Sequence, residues 1–163
     1  MHAQDTARSA ASATGPPPEL TALPQWVCWR QEERNGKATK PPINPRTGRP
    51  ASTTDPTTWS DHATAKAAVR RYRCHGVGFV FTAEDPFVGI DLDGGYDPET
   101  GRPTDWAAPI VAAFNSYTEI SPSGRGLHIL IQGRLPGHGR KQGPIEVYDR
   151  RRFFTVTGQR IHP

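Results

Sequence analysis

Cysteine is scarce in this 163-residue chain: there are two, Cys28 and Cys74, far apart and without the spacing of a metal-ligand motif. That excludes a cysteine-based metal site and points to a reduced, cytoplasmic protein. No apolar run approaches the ~20 residues of a membrane span, and residues 1–18 lack the apolar centre of a secretory signal. No internal repeat is present. Two common phosphate-binding signatures are also missing: Gly-x-x-x-x-Gly-Lys-Ser/Thr, and Gly-x-Gly-x-x-Gly opening a helix. What remains is a polar chain with enough apolar residues for one domain of ordinary size.

Charge is modest in sum and uneven in place. There are 20 basic and 16 acidic side chains, a net +4. From Gly133 onward, Arg134, Arg140, Lys141, Arg150, Arg151, Arg152 and Arg160 face only Glu146 and Asp149, so this end suits a polyanion. The opening stretch, rich in Ala, Ser and Thr and running into Gly15-Pro16-Pro17-Pro18, has the composition of a disordered leader. The expected organisation is a leader over residues 1–20 followed by one domain over 21–163.

The most informative segment is Phe87-Val-Gly-Ile-Asp-Leu-Asp-Gly-Gly95. On a strand, Asp91 and Asp93 share one face while Val88, Ile90 and Leu92 share the other. Adjacent carboxylates repel, so a hard divalent cation is the natural occupant, Mg²⁺ above all, because it takes oxygen ligands and leaves room for phosphates. A calcium-binding EF-hand loop is excluded: counted from Asp91, position six is Tyr96 and position twelve Arg102, where Gly and Glu are required.

Two further strands repeat the design. Leu127, Ile129 and Ile131 alternate with His128, and Ile145 and Val147 alternate with Glu146 and Tyr148. If the three strands share a sheet whose apolar side is covered by helices, Asp91, Asp93, His128 and Glu146 converge on its open face. Asp149 competes with Glu146 as third carboxylate; parity favours Glu146, and a bulge at Tyr148 would reverse the preference. Taken singly, each of these groups has a structural explanation, and the shared parity is what points to a site. Before His128 runs Ser121-Pro-Ser-Gly-Arg-Gly126, whose Gly124 and Gly126 permit backbone amides to turn toward an anion, with the Ser123 hydroxyl and Arg125 guanidinium beside them.

Between leader and acidic pair the pattern predicts a strand over residues 25–30, a Pro-rich connection over 40–56, and a helix over 60–73 capped by Ser60 or Asp61. Ala63, Ala67 and Tyr72 form that helix's inward side. A strand over 76–82 is expected beside the Asp-bearing strand. A second helix over 105–114 carries Pro109 near its first turn. The class is α+β, a mainly antiparallel sheet with helices packed on one face.

The order of Asp91-x-Asp93, then Ser123-Gly124-x-Gly126-x-His128, then an acid on a later strand resembles the three motifs of the archaeo-eukaryotic primase superfamily. More narrowly it resembles the bifunctional primase/polymerase (prim-pol) domains of phage and plasmid replication proteins. Trp26-Val-Cys-Trp-Arg30, Lys40-Pro-Pro-Ile-Asn-Pro-Arg-Thr-Gly48, Asp55-Pro-Thr-Thr-Trp59 and Arg152-Phe-Phe-Thr-Val-Thr-Gly158 extend the likeness over residues 23–161. The resemblance implies an RRM-like core and template-directed nucleotidyl transfer from nucleoside triphosphates with Mg²⁺ or Mn²⁺. Asp91, Asp93 and Glu146 would hold metal, and His128 would contact the incoming triphosphate. Ser123, Gly124 and Arg125 would flank its phosphates, with Lys40 and Arg152 as further substrate-binding candidates. Single-stranded DNA template, nucleoside triphosphates and a helicase or other replication protein are the implied partners. The usual C-terminal extension of such domains is not expected within 163 residues. Two other readings stay open: a noncatalytic primase-like nucleic-acid-binding module, and a metal-dependent nuclease.

Overall fold

The computed structural model describes residues 14–162. In chain order the elements are α1 (Pro18–Thr21), β1 (Trp26–Trp29), β2 (Glu32–Arg34), β3 (Lys37–Thr39), β4 (Pro42–Ile43), α2 (His62–Arg71), β5 (Gly76–Phe81), β6 (Phe87–Leu92), β7 (Tyr96–Asp97), β8 (Arg102–Pro103), α3 (Ala108–Phe114), β9 (Tyr117–Ile120), β10 (Leu127–Gln132), β11 (Arg140–Gln142), β12 (Ile145–Tyr148), β13 (Arg152–Val156) and β14 (Arg160–Ile161). A 3₁₀ turn over Pro56–Thr58 precedes α2. Every strand pairing among the described residues is antiparallel, so the α+β class with a mainly antiparallel arrangement is the observed one.

The strands do not form one sheet. A four-stranded sheet has the order β13-β5-β1-β4, and a six-stranded sheet the order β11-β12-β6-β10-β9-β14. The strand over 76–81 therefore lies in the other sheet, between β1 and β13, and not beside the Asp-bearing β6. Its run Gly-Val-Gly-Phe-Val-Phe carries apolar residues on both sides, which suits a central strand, and alternation alone does not name the neighbour.

An aromatic layer holds the sheets together. Trp26, Phe79, Phe81, Phe87, Tyr148 and Phe154 belong to one buried cluster, with Leu20 from α1 and Ala65 and Ala68 from α2. Edge-to-face contacts run through it, Phe81 to Phe154 at 5.1 Å and Tyr148 to Phe154 at 5.1 Å between centroids. On the opposite side of the six-stranded sheet Ile90, Leu92, Leu127 and Ile129 pack with Ala107 and with Val111 of α3. Neither face of β6 is simply open. The Phe87–Gly89–Asp91 side is roofed by the second sheet at its start and uncovered only toward Asp91, where the strand runs out past Leu92.

Helix α2 starts where Asp61 accepts the Thr64 amide at 2.8 Å. It buries Ala65 and Ala68, while Ala63 and Ala67 are exposed and only Tyr72 of the expected inward set packs on the core. Residues 65, 68, 69 and 72 make the apolar stripe; small alanines all round the helix left its inner side undetermined. The first thirteen residues of the expected leader lie outside the described ones, and within the remainder Leu20 is 2% exposed and packs in the aromatic cluster. Among the described residues no helix is long and apolar enough to cross a membrane.

Candidate active site

Strand register assembles the site. Asp91 is paired directly with His128 on one side and with Glu146 on the other. Directly paired residues on antiparallel strands project to the same face, with Cβ atoms ~5 Å apart. The three side chains therefore form a row across β10, β6 and β12, and Asp93, which is exposed, follows at the end of β6 with its amide donating to Pro144 O at 2.8 Å. His128 Nε2 lies 3.8 Å from Asp91 Oδ1.

The electrostatics of the row are those of a site short of positive charge. Burial pushes the Asp91 carboxyl above its ordinary range, and the negative charges of Asp93 and Glu146 push in the same direction; His128 and Lys40 pull the other way. Burial, Asp91 and Glu146 likewise drive the Tyr148 phenol well up. Tyr148 was expected to point outward with Glu146, and it does share that side, but the second sheet covers it and only 8% is exposed.

Three carboxylates on neighbouring strands are the hard oxygen donors that Mg²⁺ and Mn²⁺ take. Among the described residues no three His, Cys, Asp or Glu side chains are grouped so that they could hold an ion as they stand. Glu146 is engaged elsewhere: Arg152 Nη2 donates to its Oε1 at 2.9 Å, and Lys141 Nζ is 4.0 Å from Oε2. Arg152 comes from the four-stranded sheet, so this pair bridges the two sheets at the site. Its guanidinium also lies 5.7 Å from the Tyr148 ring centroid. Asp149 is not part of the row. It is buried, accepts the Leu135 amide at 3.1 Å and pairs with Arg150 at 2.8 Å.

The 121–126 loop joins β9 to β10 beside the Asp93 end of β6. Its amides are largely used internally. Gly124 N donates to Ser121 O, Gly126 N to Ser121 Oγ and Arg125 N to Ser123 Oγ. A cradle of outward amides, the sequence expectation, is absent at these three positions because the Ser121 carbonyl and the two serine hydroxyls close the turn on itself. Gly124 has φ +72°, and a side chain at Gly126 would meet Ser121 Oγ at 2.8 Å. What the loop presents outward is the exposed Ser123 and Arg125. Ser123 lines a groove of about 800 Å³ together with Lys40, Lys66, His75 and Thr157. Lys40 Nζ stands 5.6 Å over the Trp29 ring in that groove.

A further acidic side chain, which the sequence pattern does not single out, adjoins the row. Glu119 of β9 is paired with His128 from the far side and is 1% exposed. Its Oε1 is 3.3 Å from His128 Nδ1. Tyr117, two residues earlier on the same face, was the available signal.

No family model matches the chain. Over 146 residues, 86% of this chain, it is 42% identical to a DNA primase-polymerase of Nitratiruptor phage NrS-1. The chain is similar to a phage primase-polymerase. It spans 20% of that relative's length.

Proposed function

We propose that this chain is a DNA primase/polymerase domain that joins nucleotides on a single-stranded DNA template, using nucleoside triphosphates and Mg²⁺ or Mn²⁺ in the replication of a phage, plasmid or other mobile element. The observation that carries the reading is the direct pairing of Asp91 with both His128 and Glu146, in a chain 42% identical over 146 residues to a primase-polymerase.

In this reading Asp91, Asp93 and Glu146 hold the metal. When bound, the metal supplies a lowered pKa for the attacking 3′-hydroxyl and charge stabilisation for the departing pyrophosphate. The chain's own side chains supply the rest. His128 meets the triphosphate at the inner end of the row, backed by the protein core. Ser123 and Arg125 flank the phosphates from the β9–β10 loop, and Lys40 approaches from the groove side. Glu146 would leave its Arg152 and Lys141 partners to serve as a metal ligand, and Arg152 would then be free for substrate phosphate, a bidentate task that suits a guanidinium. Gly124 contributes the turn that brings Ser123 and Arg125 to the rim. Arg140, Lys141, Arg150 and Arg151 line the cleft around Glu146 and give a DNA strand its electrostatic path. A helicase or other replication protein is the proposed partner.

The test is incubation of the purified chain with single-stranded DNA, labelled nucleotides and either metal. Template-dependent products support the reading. DNA cleavage without nucleotides would place the chain among nucleases, and binding with neither reaction would make it a noncatalytic module.

A further inference from the structure

A carboxylate buried on an interior strand is costly unless it is fully hydrogen-bonded, and Glu119 is. Tyr117 Oη donates to Oε2 at 2.8 Å, the Gly158 amide to Oε2 at 2.9 Å and the Thr157 amide to Oε1 at 3.0 Å. The fourth partner is His128 Nδ1 at 3.3 Å from Oε1. A carboxylate offers about four acceptor directions and no hydrogen. Burial and the Glu119 charge push the Tyr117 phenol up, so it stays a donor. The remaining bond is complete only if Nδ1 supplies the hydrogen. On its other flank the His128 ring lies flat on Phe154, 4.6 Å between centroids and 6° between planes. The imidazole is thus clamped by a charge at Nδ1 and by a ring at its face, and Nε2 is the atom left toward Asp91.

We propose that Glu119 is the positioning residue for His128: its carboxylate takes the Nδ1 hydrogen and fixes the ring with Nε2 toward the nucleotide. The inference rests on the nucleotidyl-transfer reading of this same site. It also gives the segment after β13 a task, since the Thr157 and Gly158 amides anchor the carboxylate that orients the ring, while Thr157 Oγ1 ties the segment to Ile120 O at 2.6 Å.

Imidazole ¹H–¹⁵N correlation spectra of the full chain test it, because two-bond couplings distinguish the two ring nitrogens. A slowly exchanging hydrogen on Nδ1 of His128 is expected, and hydrogen on Nε2 alone overturns the proposal. In a folded Glu119→Gln variant the nucleotide KM is expected to rise about tenfold, the worth of one charged hydrogen bond, with the template KM unchanged; an unaltered nucleotide KM also overturns it. Should that variant fail to fold, the spectrum of the unaltered chain still decides. Lack of synthesis by the unaltered chain would defeat the assigned activity, whereas hydrogen on Nε2 alone would defeat the role of Glu119, so the two failures are distinguishable.

Discussion

Phe154, from the four-stranded sheet, lies parallel to the His128 ring of the six-stranded sheet at 4.6 Å. The contact depends on Gly89, which sits on β6 two residues before Asp91 on the same face and leaves the space that Phe154 fills. A Cβ there would collide with the rings of Phe154 and Phe81. The missing side chain in Phe87-Val-Gly-Ile-Asp is thus what lets one sheet support a polar group of the other.

Gly89→Ala is therefore expected to destabilise the fold by about 1–3 kcal/mol, the usual cost of overpacking a dense core. Denaturant unfolding would measure it. Displacement of Phe154 should also loosen His128, visible as a change in its ring resonances. A variant as stable as the parent would contradict the packing described.

Asp91→Asn is expected to raise the Tm of the metal-free protein while removing activity. Burial and two neighbouring carboxylates push the Asp91 carboxyl up, so its ionised form weakens the fold at neutral pH. Thermal unfolding in the presence of a chelator checks this, and a lower Tm for the variant would count against the charge crowding.

The part of this site that was legible in sequence is the part governed by a period of two. Val88, Ile90 and Leu92 fixed the side of Asp91, and the same alternation placed His128 and Glu146 beside it once the strands paired. Sheet membership was not legible. The 76–81 strand has apolar residues on both sides, so nothing local assigns it to β1 and β13. Glu119 escaped for a different reason: within Tyr117-Thr-Glu-Ile120 it looks like an exposed strand acid, and the amides that satisfy it come from Thr157 and Gly158, far along the chain. Helix α2 was located by its cap but rotated wrongly, because alanines on several sides give a weak apolar stripe.

Asp149 offers a pH test away from the row. The hydrogen bonds from Arg150 hold its carboxyl below the ordinary range, helped by the Leu135 amide. A depressed carboxyl contributes stability that is present above its unfolded pKa and lost as pH falls through the folded value. Asp149→Asn should therefore lower Tm by a few degrees at pH 7, and the gap should close as pH drops below about 4. A gap that stays constant with pH would refute the ion pair's contribution.

Arg140 and Lys141 lie beside Glu146 in the basic cleft. If each meets one phosphate, Arg140→Ala with Lys141→Ala should reduce the slope of log K against log salt by about 1.4 for single-stranded DNA. Filter binding or fluorescence anisotropy over a salt series reads that slope. An unchanged slope would move the strand's path elsewhere.

Whether Asp91 and Asp93 head a nucleotidyl-transfer site is decided by comparing two proteins. The unaltered chain and an Asp91→Ala, Asp93→Ala variant, matched by circular dichroism, are incubated with single-stranded DNA, labelled nucleoside triphosphates and Mg²⁺ or Mn²⁺. Template-dependent product is expected from the unaltered chain and a loss of roughly a thousandfold or more in the variant, the scale of several kcal/mol of transition-state stabilisation. Equal synthesis by the two proteins would contradict that assignment.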